Sequence, residues 1–253
     1  MPGVAFEVHN IDCLELAVAP ASVDTIYLDP PYGPEKEDTY YGVGDGEDGY
    51  LDYMRVRLER LSEFLKSDGN LLIHIDYKYA HYLKVCADRI FGRKNFRNEI
   101  IWAYSSPSVA KRFMPRKHDT ILWYGRGDYV YNPERVPYAD GLAVGGETSW
   151  AGEKKDTSDY IDRGKLLPDW WTDIPSLCRN EKERRSYKTQ KPIKLLLRIV
   201  KMFSNEGQTI MDPFCGSGTT IEAAVQLGRY GVGADISAEA CEITRLRCSD
   251  RTR

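Results

Sequence analysis

Two short apolar runs far apart in the chain, Val23-Asp24-Thr25-Ile26-Tyr27-Leu28 and Thr209-Ile210-Met211, each lead into a turn that opens on an aspartate. The first turn is Asp29-Pro30-Pro31-Tyr32. The second is Asp212-Pro213-Phe214-Cys215-Gly216-Ser217-Gly218-Thr219. Apolar runs of this length, rich in β-branched residues and bounded by Pro or Gly, read as buried strands. If both strands lie in one parallel sheet, both turns come to its carboxyl edge, where open α/β sheets bind ligands.

The segments around them alternate in the same way. Leu51, Met54, Leu58, Leu61 and Leu65 form a helical stripe over Tyr50–Lys66, which Asp68-Gly69 is expected to end. Asn70–Ile75 reads as a buried strand, Tyr79–Phe91 as a helix, and Glu99–Tyr104 and Thr120–Tyr124 as two more strands. After the middle of the chain come a helix over Pro192–Phe203, with Pro acceptable in the first turn, a helix over Thr219–Leu227, a strand over Tyr230–Ala234 and a last helix from Ala238. Alternation of this kind predicts an α/β fold with a doubly wound, mostly parallel, Rossmann-like sheet. Two stretches break it. The acidic, Gly-rich segment from about Gly33 to Asp52 reads as a mobile loop. Asp128–Tyr187, rich in Pro, Gly, Trp and Tyr with weak periodicity, reads as an irregular insertion. The expected organisation is therefore 1–127 and 188–253 as the halves of one domain, with 128–187 inserted between them.

At 253 residues the chain can bury a large core. No run approaches the ~20 apolar residues of a membrane span, and the N-terminus lacks a signal-peptide pattern. Six scattered cysteines without a Cys-x-x-Cys pair argue against a zinc site or a disulfide framework and for a reducing cytoplasm. A formal net charge of −3 means that any nucleic-acid contact must come from a local basic patch.

The turns differ in chemistry. In the second, Gly216 and Gly218 permit close backbone approach to a ligand. The dinucleotide fingerprint is incomplete, because Ile221 stands where its last glycine belongs, and no Lys follows Gly218 as a phosphate loop requires. A leading carboxylate would repel pyrophosphate but suits a ligand with a cationic amino-acid end. Asp235, closing the next strand, is placed for ribose hydroxyls. In the first turn, a carboxylate and a rigidly held Pro30 carbonyl can accept both hydrogens of a nucleobase amino group, exposing its lone pair to an electrophilic methyl. Tyr32 offers a stacking face worth roughly 1–3 kcal/mol per base.

Together these motifs resemble the amino-group DNA methyltransferases that use S-adenosylmethionine. The base motif precedes the cofactor motif, as in the beta permutation of that family, and the resemblance covers most of the chain. It implies that Asp29, Pro30, Pro31 and Tyr32 are catalytic, with Asp29 also bordering the cofactor. Tyr187-Lys188-Thr189-Gln190-Lys191-Pro192 is similar to the segment that holds the cofactor's methionine end, which implicates Thr189, Gln190 and Lys191. The Gly loop implicates Asp212, Pro213, Phe214, Gly216, Ser217, Gly218 and Thr219, and the ribose acid implicates Asp235 with Ile236. Asn10-Ile11-Asp12-Cys13 is similar to a turn contacting adenine, pointing to Asp12 and Cys13, although Asn10 stands where the family has Gly. The implied reaction is methylation of adenine N6 in a flipped-out base of double-stranded DNA, and the insertion is the candidate target-recognition region.

Two basic runs flank the insertion: Lys111, Arg112, Arg116, Lys117 and His118, and a second containing Arg184 and Arg185. Charge runs are commonly solvated faces; their position makes these candidate phosphate contacts. Trp150, Trp170 and Trp171 are expected to pack a small subdomain, and His74 and Asp76 to be structural or site-lining, since direct methyl transfer needs neither metal nor histidine. The rivals are cytosine-N4 methylation, a methyltransferase acting on RNA or a protein amide, a non-catalytic nucleic-acid-binding subunit and, least supported, a nicotinamide dehydrogenase. A homodimer and a cognate restriction enzyme are the other partners considered.

Overall fold

The computed structural model describes residues 6–33, 46–105, 110–137, 164–177, 183–184 and 190–249, and the backbone of 148–150 and 153–155. Its strands are β1 (Phe6–Asn10), β2 (Val23–Leu28), β3 (Leu65–Ile75), β4 (Phe96–Ala103), β5 (His118–Gly125), β6 (Arg135–Val136), β7 (Thr148–Trp150), β8 (Glu153–Lys155), β9 (Lys165–Leu166), β10 (Trp170–Trp171), β11 (Thr209–Asp212) and β12 (Tyr230–Asp235). Its helices are α1 (Gly46–Phe64), α2 (Ala80–Ala87), α3 (Ile193–Phe203), α4 (Thr219–Gln226) and α5 (Ala238–Ser249).

Eight strands form one sheet in the order β1-β12-β11-β2-β3-β5-β4-β10. All run parallel except β5, which is antiparallel to both β3 and β4. β11 and β2 are neighbours, with Met211 opposite Ile26. From this pair the connections wind outward in opposite directions, which makes the β11–β2 boundary the switch point where such sheets open a crevice. The two aspartate-led turns emerge side by side there.

Side-chain alternation divides the core into two layers. Ile26 and Leu28 of β2 and Leu71, Ile73 and Ile75 of β3 pack with α1 and α2, while Tyr27 and Leu72 point to the other face. That second face is covered by α3, whose Leu195, Leu196, Ile199, Val200 and Phe203 are buried at helical spacing. Each such buried side chain contributes about 1.5–3 kcal/mol.

The structure corrects several boundaries. Asp68-Gly69 does not stop a helix: α1 ends at Phe64 and β3 begins at once. Leu65 pairs with Val23 and Asn70 with Thr25, so Lys66–Gly69 is a bulge inside the strand. A Cβ on Gly69 would stand 2.7 Å from Leu65 Cδ1, which is why the bulge needs glycine. Residues 46–49, expected in a loop, are the first turn of α1, which starts four residues before the expected helix at Tyr50; 34–45 lie outside the described residues. The short edge strand β1 was not foreseen. Nor is the region 128–187 set apart throughout. Trp171 is buried in the main core, β10 extends the main sheet beside β4, and Tyr131 stacks on Trp123 and Phe203. The side chain of Trp150 lies outside the described residues, and Trp170 is exposed.

The last helix is fastened beneath the Gly loop by a buried pair, Arg247 with Glu222. Arg247 Nη1 also donates to the Ser217 carbonyl at 3.1 Å and to Thr219 Oγ1 at 2.9 Å. Arg247→Ala removes the cation from the buried Glu222 carboxylate, which keeps the Gln226 amide at 2.9 Å, and should lower stability by about 3–5 kcal/mol. Pairing it with Glu222→Leu should recover most of that loss. Urea denaturation of the three proteins measures both effects, and equal stability of Arg247→Ala and wild type would show that the pair holds nothing.

Candidate active site

Every parallel strand that ends near the switch point delivers a carboxylate or its neighbour to one edge. Asp212 is the last residue of β11, Asp235 the last of β12, and Asp29 follows β2 directly. All three are largely removed from solvent, and the charges of Asp29 and Asp235 both bear on the buried Asp212 between them.

Asp29 is the most heavily engaged. Lys191 Nζ lies 2.6 and 2.8 Å from its two oxygens, and the Tyr32 hydroxyl donates to Oδ1 at 3.0 Å. The same ammonium stands 5.0 Å from the centroid of the Tyr32 ring. Lys191 enters just before α3, so this contact closes the chain across the insertion. Burial and the adjacent Asp29 hold the Tyr32 phenol well above its usual range, keeping it a donor. The turn is braced from below: Tyr50 of α1 donates to the Pro31 carbonyl at 2.7 Å and packs on Tyr79, and Gly33, at φ +125°, lies so close to Tyr79 that a Cβ would meet its ring at 2.5 Å.

Asp212 is buried, accepts the Phe214 amide at 3.1 Å, and pairs with no cation among the described residues. Burial, against a Thr220 hydrogen bond and with Asp29 and Asp235 nearby, pushes its carboxyl up to about 7. Asp235 accepts the Gly216 amide on one oxygen (2.9 Å) and the Ser237 amide on the other (2.8 Å), pinning the Gly loop to β12. Burial raises its carboxyl despite those two amides.

Ile11, Asp12, Cys13, Tyr53, Pro213, Phe214, Asp235 and Ile236 line one small cleft beside these acids. Asp12 caps the following turn through Leu14 N at 2.9 Å and pairs with Arg57, whose guanidinium lies 3.4 Å from the Tyr53 ring centroid. Burial pushes the Cys13 thiol up to about 12, so it lines the cleft as an apolar group. Asn10 has a role of its own. Its amide donates to the carbonyls of Asp235 (3.0 Å) and Ile236 (2.9 Å), tying β1 to the end of β12.

The expected residues thus gather unevenly. Asp29, Tyr32, Lys191, Asp212, Phe214 and Asp235 share the sheet edge. Ser217 and Thr219 are buried and turned toward Arg247, and a Cβ on Gly218 would meet the Thr244 side chain at 2.5 Å. Those three anchor the loop to α5. Gln190 donates to the Glu183 carbonyl at 2.9 Å, and Glu183 Oε1 accepts the Ile193 amide, capping α3. Thr189 and Arg185 lie outside the described residues; Arg184 is exposed beside that cap. Lys111, Arg112 and Arg116 are exposed on the β4–β5 connection. Tyr50, Tyr53 and Arg57 were missed: they belong to the hydrophobic stripe and charge pattern of an ordinary amphipathic helix, with nothing local to mark their partners.

A second buried network underlies the site. With Tyr27 kept protonated by burial, its hydroxyl donates to His74 Nδ1 at 2.6 Å, and His74 Nε2 donates to Asp119 Oδ2 at 3.2 Å. The Tyr104 hydroxyl reaches Asp119 Oδ1 at 3.0 Å. Burial would raise the Asp119 carboxyl, but His74 and the nearby Lys191 outweigh it and hold it below the usual range. The reading of His74 as structural fits this position; Asp76 caps the next turn through Lys78 N at 3.0 Å.

Among known proteins the chain is similar to the type II methyltransferase M.BamHI of Bacillus amyloliquefaciens, 32% identical over 98% of this chain and 58% of that protein. It is also similar to the DNA adenine methyltransferase YhdJ of Escherichia coli K12, 27% identical over 92% of this chain and 78% of that one. It spans 64% of M.EcaI of Enterobacter cloacae. Two solved structures share the fold. A Thermus thermophilus protein described as a DNA modification methylase, complexed with S-adenosyl-L-methionine, superposes with a TM-score of 0.65 at 20% identity, covering 98% of this chain and 95% of that one. The cytosine-N4-specific PvuII DNA methyltransferase superposes at 0.68 and 17%, covering 99% and 92%. Residues 23–246, from the strand before Asp29 to the helix behind the Gly loop, match the DNA methylase family model, and the chain belongs to that family of N6-adenine and N4-cytosine DNA methyltransferases.

Proposed function

We propose that this protein transfers a methyl group from S-adenosylmethionine to the N6 amino group of adenine in double-stranded DNA, with the base swung out of the helix to reach Asp29. The observation that carries the reading is the Asp29 carboxylate at the switch point, held among the described residues by the displaceable side-chain donors Lys191 and Tyr32, and adjoining a buried acid, Asp212, that lacks a cation among those residues.

The donor set fits the cofactor. Asp212 is a buried carboxylate without a cationic partner among the described residues, suited to the ammonium of the methionine end. Lys191 suits its carboxylate. Asp235 has lone pairs left for ribose hydroxyls, and the cleft of Ile11, Tyr53, Phe214 and Ile236 is apolar enough for adenine. When bound, the cofactor supplies an electrophilic methyl on a sulfonium.

The protein's own groups do the rest. An exocyclic amino nitrogen is a weak nucleophile because its lone pair is delocalised into the ring. Asp29 accepts one N–H and the Pro30 carbonyl a second, which draws the nitrogen toward a tetrahedral shape. Lys191 must leave Asp29 for this, and the methionine carboxylate is the competing acceptor. Lys191 thereby links cofactor occupancy to the freeing of the base acceptor. Tyr32 keeps its hydrogen bond to Asp29 or turns its face to the base. As the nitrogen gains its methyl it sheds one proton toward the Asp29 carboxylate that already holds it.

Adenine is favoured over cytosine on three grounds. The turn begins with Asp, which in the resembling family leans toward adenine. YhdJ, similar over 92% of the chain, is an adenine methyltransferase. The larger base also stacks more strongly on Tyr32 and leaves a pair with two hydrogen bonds rather than three.

Three outcomes are expected. DNA incubated with isotope-labelled cofactor and digested to nucleosides should yield labelled N6-methyladenine by mass spectrometry. N4-methylcytosine alone would reverse the base assignment, and no labelled nucleoside would remove the activity. Asp29→Ala should keep cofactor binding by calorimetry within about threefold and lose turnover by at least about a thousandfold, since the lost charged acceptor acts on the reacting nitrogen; turnover within tenfold of wild type would remove Asp29 from the chemistry.

The third concerns pH. With its carboxyl near 7, Asp212 is largely protonated at pH 5.5, and an arriving ammonium must expel that proton. Affinity for the cofactor should therefore rise by up to about tenfold per pH unit up to about 7 and then level off. Below about pH 7.5 the cofactor's own amino group stays protonated. Asp212→Asn should flatten the slope; the same slope in both proteins would exclude Asp212 from the ammonium site.

A further inference from the structure

The connection between β4 and β5 carries side chains that methyl transfer leaves unused. β4 runs parallel to β2 and pairs antiparallel with β5, Ala103 opposite His118. The connection therefore leaves the sheet at the carboxyl edge, the edge of Asp29. Its base is closed by Tyr104 N donating to the Lys117 carbonyl at 2.9 Å, and Tyr104 also reaches the Asp119 network beneath the site.

At its tip two large apolar side chains face solvent, Phe113 at 57% and Met114 at 88% exposure. Single exposed apolar groups are ordinary. This pair is different in two respects. It stands among cations, with Lys111 and Arg112 before it and Arg116 after it, all exposed. It is also braced. The Arg116 guanidinium lies 4.3 Å from the Phe113 ring centroid and 4.4 Å from that of Tyr77, and donates to the Tyr77 hydroxyl. Tyr77 sits in the turn after β3, at the same edge. The Phe113–Arg116–Tyr77 stack fixes Phe113 at the tip, with Met114 beside it in sequence and open to solvent.

We propose that Phe113 and Met114 form a wedge that enters the duplex beside the target base and fills the place the base vacates, while Lys111 and Arg112 meet the flanking phosphates. The inference rests on the reading that a base leaves the helix to reach Asp29. A vacated position exposes the faces of its neighbours to water. Phe and Met are side chains suited to covering such faces, since both are apolar and one is flat. Cations on either side match the phosphates that border the gap and would repel a second copy of the same tip.

The wild-type protein, Phe113→Ala/Met114→Ala and Met114→Leu are compared on a duplex containing the modified sequence and on the same duplex with the target adenine mismatched, with calorimetry of the cofactor as control. A wedge is needed only where a paired base must be opened and the gap held. The double variant should lose at least about tenfold in kcat/KM on the paired duplex, the scale of one lost base-stacking contact, and recover to within about threefold of wild type on the mismatched one. Met114→Leu, which keeps apolar bulk, should behave as wild type on both. Cofactor affinity should not move. Equal losses on both substrates, no loss on either, or a change in sedimentation showing that the tip joins two copies of the chain would each overturn the wedge. Wild-type protein that methylates neither duplex would instead remove the activity on which the wedge depends.

Discussion

Asp29 and Lys191 stand 162 positions apart in sequence and within 2.6 Å in space. That ion pair ties the end of β2 to α3, the helix that covers one face of the sheet. Around it the molecule concentrates three carboxylates at one edge, Asp212 and Asp235 buried and Asp29 partly so, an arrangement that opposes itself electrostatically. It persists because each acid is treated differently. Asp29 receives an ammonium and a phenol. Asp235 receives two backbone amides. Asp212 receives one amide and a hydroxyl, too little to keep it fully charged, and its carboxyl rises to about 7. Unequal satisfaction of like groups assigns them different chemistry. Among the described residues neither Asp212 nor Asp235 has a cation beside it, so Asp29 alone of the three is held by an ion pair.

How much of this was legible in the chain depends on how local the encoding is. Asp29, Asp212 and Asp235 could be read because each follows a strand-like run directly, and strand ends in a parallel sheet share one edge. The two Gly-loop glycines could be read for the same reason. Ser217 and Thr219 carry the same signal as ligand contacts, yet Arg247 of α5 holds both. Nothing within the loop records that a guanidinium 30 positions on will reach it. Arg57 beneath Asp12 and Tyr50 beneath Pro31 were invisible for the same reason. Each occupies a helix position whose residue type suits a solvated or core face equally well, and only the packing of α1 against the β1 and β2 turns gives it a partner.

Local signals also misled where tertiary pairing overrode them. Asp68-Gly69 has the composition of a helix stop, but the chain is already in β3 and the glycine serves a bulge pressed against Leu65. The aromatic segment around Trp170-Trp171 lacks periodicity because it pairs with the sheet for only two residues. Trp171 is nevertheless among the most buried side chains of the protein. Conversely, β1 is five residues of mixed polarity at the sheet's edge, and it is recognisable as a strand only through its register with β12 and the Asn10 clamp.

The hydrogen-bonded set of Tyr27, His74, Asp119 and Tyr104 explains how such a crowded edge stays ordered. It spans three neighbouring strands, β2, β3 and β5, and reaches the end of β4. The polar atoms of His74 and Asp119 in it are all paired. A satisfied buried network is stiff, because displacing any member leaves another unpaired in a low-dielectric interior. Tyr27 lies two residues before Asp29 and on the opposite face of β2 from Leu28. Fixing its hydroxyl therefore fixes the strand end from the α3 side, while Tyr50 fixes the turn from the α1 side through Pro31. The Trp102 ring stands edge-on to His74 at 5.7 Å and excludes water from it. The strand end that carries Asp29 is thus clamped from both layers of the sheet, while among the described residues the carboxylate itself is met by the side chains of Lys191 and Tyr32.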